Sequence, residues 1–131
     1  MKSFTRLLLL AVSLAATSAQ AAEFLPYTDA KFAELSKASK PLVLDVHADW
    51  CPTCRVQQPM LKQVVSAAPY DQYTVLVIDY DSQADVRARY KVERQSTLIV
   101  FAGKQERGRA TGYTDQKSIS LLLNKGLDKI P

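Results

Sequence analysis

The stretch that decides the fold runs from residue 42 to residue 59 and reads LVLDVHADWCPTCRVQQP. Its first six residues form a nearly continuous apolar run, which is typical of a strand buried on both faces of a sheet. Two cysteines follow, and Pro52 between them fits the first turn of a helix, where its missing N–H costs nothing. The stretch therefore predicts a buried strand that leads directly into a helix, with Cys51 at the helix start.

The two cysteines are predicted to be a redox pair. A bridge between Cys51 and Cys54 would close a loop too short to stabilise the fold much. At the helix N-terminus, unpaired N–H groups and the helix dipole favour a negative sulfur, so Cys51 is predicted to be the exposed, reactive thiol with a depressed pKa. Cys54, one turn on, is predicted to be the buried resolving thiol. Two alternatives stay open: a pair of inert buried thiols, and half of a zinc site in a chain with one His and no second C-x-x-C.

The rest of the chain alternates helical and strand patterns and ends in a hairpin and a helix. Helices are predicted over residues 28–38, from the cysteines onward with a kink at Pro59, over 82–90, and over 114–125, with Thr28 and Ser82 as caps and Gly126 as a stop signal. Strands are predicted over residues 42–47, 73–78, 97–101 and 106–111, the last two joined by a turn at Gly103-Lys104. This order predicts one α/β domain with a central mixed sheet flanked by helices.

The N-terminus has the pattern of a secretory signal peptide. Lys2 and Arg6 provide a positive n-region, residues 7–16 are an apolar run of ten, and Ala19-Gln20-Ala21 has small residues at the two positions that a signal peptidase reads. Cleavage is predicted after Ala21, which leaves a mature domain of residues 22–131. The apolar run is about half as long as a membrane span, so a retained transmembrane helix is the weaker alternative. Beyond a bacterial inner membrane the compartment is oxidising, and a dithiol there must be actively maintained or used.

Composition excludes several function classes. The chain has 131 residues, 47% hydrophobic and 23% charged, which is close to the average for one small globular domain. Its 17 basic and 13 acidic residues are scattered, with no basic run that could follow a phosphate backbone, so no nucleic-acid partner is expected.

The segment from Leu44 to Pro59 resembles the thioredoxin family, and its WCPTC core is similar to the exported, cytochrome-maturation branch of that family. The resemblance includes a buried acid at Asp45, a proline at Pro59, the strand TLIVF at residues 97–101, and Gly112 before the last helix. It implies a thioredoxin-like fold over residues 22–131 and a protein dithiol–disulfide oxidoreductase that needs no cofactor and no metal. The strong periplasmic oxidants of the family carry a large helical insertion, for which a mature chain of this length has no room.

Three positions depart from the family pattern. Ser96 stands where the family has a cis-proline facing the dithiol, and the Gln95–Ser96 peptide bond is predicted to be trans, because a cis bond before a non-proline residue costs about 2.5–4 kcal/mol. His47 replaces a tryptophan, and Val77 replaces the lysine that usually lies near the buried acid. The electrostatic surroundings of the thiols are therefore predicted to differ from those of an ordinary thioredoxin.

In addition to the two cysteines, Asp45 is the third predicted catalytic residue. Asp45 and His47 are two apart on one strand, so they leave the same face of the sheet, which the resemblance turns toward the cysteines. A buried aspartate without its lysine should have a raised pKa, which suits a proton acceptor for Cys54; a merely tolerated polar residue is the alternative. The residues predicted to bind substrate or to modulate the dithiol are Trp50, Pro52, Thr53, His47, Arg94, Gln95 and Ser96.

The leading functional hypothesis is an exported, periplasmic reductant that exchanges disulfides with partner proteins through Cys51 and Cys54. A membrane electron carrier is expected to recharge it, and the protein is expected to be a monomer. An oxidant or isomerase is the alternative within this chemistry. A different class is a copper-handling module, in which the smaller Ser96 lets Cys51, Cys54 and His47 reach a soft ion.

Overall fold

The computed structural model describes residues 22–128, so the predicted signal peptide and its cleavage site lie outside the described residues. The sheet has five strands: β1 (Glu23–Pro26), β2 (Pro41–His47), β3 (Thr74–Asp79), β4 (Thr97–Ala102) and β5 (Gln105–Thr111). Four α-helices and one short 3-10 helix (Tyr70–Gln72) connect them: α1 (Asp29–Lys37), α2 (Pro52–Val65), α3 (Ala84–Arg89) and α4 (Gln116–Leu127). No helix within the described range is long and apolar enough to cross a membrane.

The strand order is β1-β3-β2-β4-β5, and the sheet is mixed as predicted. β2 lies at its centre, parallel to β3 and antiparallel to β4. The side chains of β2 alternate between two buried clusters: Leu44 and Val46 pack with residues of α1 and α3, and Val43 packs with residues of α2 and α4. This alternation explains the continuous apolar run, since both faces of a central strand are covered by helices.

Several local predictions are wrong in detail. Strand β1 was not predicted, since its four residues become a strand only by pairing with β3. Ser82 does not cap α3, because its N–H and hydroxyl both bind the Asp79 carboxylate at 2.7 Å, and the helix begins two residues later. Helix α4 begins at Gln116, two residues after the predicted start at Thr114, and Asp115 caps it with a carboxylate that accepts from the Ser118 N–H.

Gly126 is not a stop signal. It lies inside α4 and is buried, and a Cβ added there would overlap the hydroxyl of Tyr73 and approach Val100 Cγ1 to 2.5 Å. The same tyrosine hydroxyl donates a hydrogen bond to the Leu123 carbonyl of α4. Glycine is therefore present because the helix lies directly against β3 and β4, and not because the helix ends there.

Candidate active site

The dithiol lies where the central strand passes into α2, as the sequence predicts. Cys51 is the N-cap residue of α2, and its sulfur accepts a hydrogen bond from the backbone N–H of Cys54 at 3.1 Å. Pro52 occupies the first helical position and is exposed, as is Thr53. Both cysteines are free thiols in this structure. The helix start thus directs backbone donors at the Cys51 sulfur.

The predicted exposure of Cys51 is wrong. Cys51 and Cys54 are both only 1% exposed, and they form a small buried cluster with Ala48, against which Tyr80 packs. A helix start predicts which sulfur receives backbone N–H groups but not its burial, to which Tyr80 and Ser96 contribute from distant segments.

The two thiols nevertheless differ in acidity in the predicted direction. Burial raises the pKa of the Cys51 thiol, but hydrogen bonds to its sulfur from Cys54, Ser96 and the backbone outweigh burial, so its pKa lies below the ordinary value. Burial and the hydrogen bond with Cys51 raise the pKa of Cys54. The negative charge of a singly ionised pair is therefore expected on Cys51.

Ser96 touches both sulfurs, although the sequence suggested only a change in loop shape. Its hydroxyl oxygen lies 3.2 Å from Cys51 Sγ and 3.2 Å from Cys54 Sγ. The Gln95–Ser96 peptide is trans, and Ser96 has a φ of 60°, in the left-handed region that favours glycine. Neighbouring Gln95 is half-buried, while the Arg94 side chain is exposed and forms no hydrogen bond with either sulfur.

Asp45 is 1% exposed and faces α2, where its carboxylate accepts a hydrogen bond from Gln58 Nε2 at 2.9 Å. Burial raises its pKa, as predicted, although the Gln58 hydrogen bond and the electrostatic influence of His47 and Lys62 oppose this effect. Val77 is its neighbour on β3, so the family's lysine is indeed missing there. No direct hydrogen bond joins Asp45 to a cysteine sulfur among the described contacts, so proton transfer between Asp45 and Cys54 would need an intervening water.

Replacing Asp45 with asparagine should stabilise the protein at alkaline pH. Because the folded pKa is raised, stability of the wild type falls as pH rises from the unfolded value through the folded one, and the loss is complete above it. Asparagine removes this loss and can still accept from Gln58. We expect Tm near pH 8 to rise by about 4–8 °C, which corresponds to about 1 kcal/mol in a domain of this size. Thermal melts from pH 4 to 9 check this, and identical pH profiles for the two proteins would contradict it.

His47 and Trp50 each contact the carboxylate of a nearby aspartate in the same chain. His47 is partly buried, and its Nε2 lies 3.2 Å from the exposed carboxylate of Asp49, whereas its Nδ1 is buried without a partner. Trp50 is 52% exposed, packs edge-on against Tyr80, and donates from Nε1 to Asp81 at 2.9 Å. Neither side chain is hydrogen-bonded to a sulfur in the described part of the chain.

The copper alternative gains no support from this geometry. Within residues 22–128, no group of three or more His, Cys, Asp and Glu side chains is close enough together to hold a metal ion. The histidine therefore does not join the two cysteines in a three-residue ligand set.

Sequence reasoning missed two glutamines of α2. Gln57 is 1% exposed, and its Nε2 donates to the carbonyls of Ser96 at 3.0 Å and Tyr113 at 2.8 Å. Gln58 binds Asp45 from the next position. A signal was available, because Gln57 lies between Cys54 and Leu61 on the buried stripe of the helix, where an apolar residue would be ordinary.

The fold and the dithiol together define a class: a small α/β domain with a C-x-x-C pair at the start of the helix that follows a central strand, an arrangement built for dithiol–disulfide exchange. The family model described as Thioredoxin matches residues 23–125, and the chain belongs to the thioredoxin family.

Relatives and solved structures agree with this assignment. A thioredoxin of Chlamydia trachomatis is 32% identical over 90 residues, which cover 69% of this chain and 86% of the relative. The crystal structure of Trxlp from Edwardsiella tarda has a TM-score of 0.74 and 32% identity, and covers 77% of this chain and 98% of that one. A thioredoxin from Halobacterium salinarum, at 19% identity, shares the fold with a TM-score of 0.71 over 87% of this chain and 97% of its own. The predicted thioredoxin-like fold is confirmed, and the chain is a thiol–disulfide oxidoreductase that acts on protein disulfides.

Proposed function

We propose that this protein is an exported reductant in which Cys51 attacks disulfides of partner proteins and Cys54 resolves the mixed disulfide. The observation that carries the assignment of roles is the N–H of Cys54 pointing at the Cys51 sulfur at the start of α2. It stabilises a thiolate on Cys51 and none on Cys54.

The reaction has two exchange steps. The Cys51 thiolate attacks one sulfur of the partner's disulfide, which forms a mixed disulfide and releases the partner's other sulfur as a thiolate that takes up a proton. Cys54 then loses its proton and attacks Cys51 Sγ, which forms the Cys51–Cys54 disulfide and releases the partner's first sulfur. Two electrons pass to the partner, and a membrane electron carrier is proposed to return two to the protein.

Asp45 is proposed as the proton acceptor for Cys54 in the second step. Its raised pKa and its place under α2 support the role, in which an intervening water would carry the proton from the sulfur to the carboxylate. The Asp45→Asn variant described above should then resolve mixed disulfides about 10²-fold more slowly near neutral pH. An unchanged rate would remove Asp45 from the mechanism.

Exposed apolar side chains support the proposal that the substrates are proteins. The large hydrophobic side chains that are exposed in the described range are Trp50, Val56, Tyr113 and Leu121. Trp50 precedes Cys51, Val56 lies in the first turns of α2, and the Tyr113 carbonyl is bound by Gln57. Trp50 and Val56 are close to the two cysteines in the chain, and an extended partner segment is proposed to dock against them.

Oxidation of partners is the second candidate direction, and the Ser96 contact favours it. A hydroxyl that stabilises the reduced form makes a dithiol pair more oxidising. The direction of exchange is set by the reduction potential of the pair.

Export and direction are tested on one preparation. The full chain is expressed in a bacterial host, and the cytoplasmic and periplasmic fractions are separated. The mass of the intact protein is measured by mass spectrometry, and its reduction potential is measured by equilibration with glutathione buffers. A reductant cleaved after Ala21 should have the mass of residues 22–131 and a Cys51–Cys54 potential below about −220 mV. Full-length protein in the cytoplasm would contradict export, and a potential near −120 mV would assign the oxidant role.

A further inference from the structure

The Ser96 hydroxyl lies between the two sulfurs at equal distances. Its oxygen is 3.2 Å from Cys51 Sγ and 3.2 Å from Cys54 Sγ, and Ser96 itself is 3% exposed. A hydroxyl has one hydrogen to donate and two lone pairs, so it can donate to one sulfur and accept from the other at the same time. With both cysteines buried, no bulk water competes for these contacts.

The protein holds this hydroxyl in place through the Ser96 backbone. The Ser96 N–H donates to the Val46 carbonyl at 2.8 Å, and its carbonyl accepts from the Gly112 N–H at 2.9 Å and from Gln57 Nε2 at 3.0 Å. These bonds tie the residue to β2, to α2 and to the segment that follows β5. They maintain Ser96 in a left-handed conformation that serine seldom adopts, which aims its side chain at the dithiol.

The helix start decides which sulfur accepts. Cys51 Sγ already accepts the Cys54 N–H, so it is the sulfur that carries negative charge, and the Ser96 hydroxyl donates to it. Cys54 keeps its proton, and both Cys51 Sγ and Ser96 Oγ are within its reach; Ser96 Oγ at 3.2 Å is closer to the Cys54 sulfur than the Val46 carbonyl at 4.0 Å.

We propose that the Ser96 hydroxyl is a catalytic hydrogen-bonding group that links the reduced thiols, donating to the Cys51 thiolate while accepting from the Cys54 S–H. The inference rests on the proposed function in taking Cys51 as the attacking thiolate. When the Cys51–Cys54 disulfide forms, the charged acceptor disappears, so the hydroxyl stabilises the reduced form selectively. Ser96 thereby raises both the thiolate fraction of Cys51 and the reduction potential.

Few other titratable groups face the sulfurs. Tyr80, which follows β3, packs against the cysteine cluster, and Asp45 and His47 come from β2. None of these three is hydrogen-bonded to a sulfur in the described structure. Hydrogen bonds with Cys54 and Ser96, not a neighbouring cation, oppose the effect of burial on the pKa of Cys51.

The experiment removes the hydroxyl in two ways that differ in backbone strain. The variants Ser96→Ala and Ser96→Gly both lack it, but glycine accepts a φ of 60° freely and alanine does not. The pKa of Cys51 in each reduced protein is read from thiolate absorbance. We expect this pKa to rise by about one unit in both variants, because each loses one charge-assisted hydrogen bond to the Cys51 thiolate. The constant for oxidation of the thiolate form by the disulfide of glutathione should rise about tenfold, which lowers the potential by about 30 mV.

Controls separate the hydroxyl from packing. Ser36→Ala removes another buried serine hydroxyl, in α1, and should leave the Cys51 pKa unchanged. An unchanged pKa in both the alanine and glycine variants would overturn the proposal. The titration uses no partner protein, so it tests the Ser96 hydrogen bond even if the wild type fails to reduce protein disulfides. Failure of the Ser96 proposal can therefore be distinguished from failure of the proposed function.

Discussion

Replacing Cys51 with serine is expected to lower the rate of protein disulfide reduction by at least about 10³-fold, because no second thiolate can begin the exchange. Cys54→Ser should instead stop after the first step and accumulate the mixed disulfide with the partner. Both sulfurs lie in the same buried cluster and the two substitutions are chemically identical, so each variant is the matched control for the other. The expected difference between them follows from the hydrogen bonds that favour a thiolate on Cys51 and from the burial that keeps Cys54 protonated.

The measurement is mass spectrometry of each variant after incubation with an oxidised protein substrate. A covalent adduct through Cys51 in the Cys54→Ser variant, and no adduct in the Cys51→Ser variant, is the expected result. Adducts of equal abundance in the two variants would show that the attacking thiol is not fixed by the helix start. The result is independent of the direction in which the protein works in the cell.

Replacing Ser96 with proline, the residue that the family has at this position, is expected to destabilise the protein by at least about 3 kcal/mol. Proline requires a φ near −65°, whereas Ser96 has a φ of 60°. It also lacks the N–H that Ser96 donates to the Val46 carbonyl in the buried centre of the sheet. A proline therefore fits this position only if the whole loop rearranges.

Urea denaturation of Ser96→Pro and Ser96→Gly checks this expectation. Glycine keeps the N–H and accepts the left-handed conformation, so its unfolding free energy should stay within about 1 kcal/mol of the wild type. The proline variant should lose most of its stability or fail to accumulate as folded protein. A proline variant as stable as the glycine variant would mean that the loop can adopt the family geometry after all.

The central part of the molecule could be predicted because its causes are local. An apolar run of strand length, a proline in the first helical turn and a cysteine at the cap position act over a few residues, and they determine the path from β2 into α2. The helix start predicts the direction of the acidity difference between Cys51 and Cys54, and side-chain hydrogen bonds from Cys54 and Ser96 act on Cys51 in the same direction. The buried Asp45 with a raised pKa follows from its place on a strand covered on both faces.

Features made by distant segments could not be predicted in this way. Strand β1 exists through pairing with β3. The sequence position of Gly126 suggested a helix end, but the residue lies inside α4 and is glycine because Tyr73 lies against it. The burial of Cys51 depends on segments far from α2 in the chain.

The sequence by itself determined the dithiol, the helix that activates it and the class of sheet, because short-range hydrogen bonding and apolar periodicity specify them. Only the tertiary structure decided what meets the sulfurs. Ser96 is distant from the cysteines in sequence, and three hydrogen bonds from separate segments hold it in a left-handed conformation beside them. No local pattern encodes such a contact, because its geometry exists only once β2, α2 and the segment after β5 are packed together.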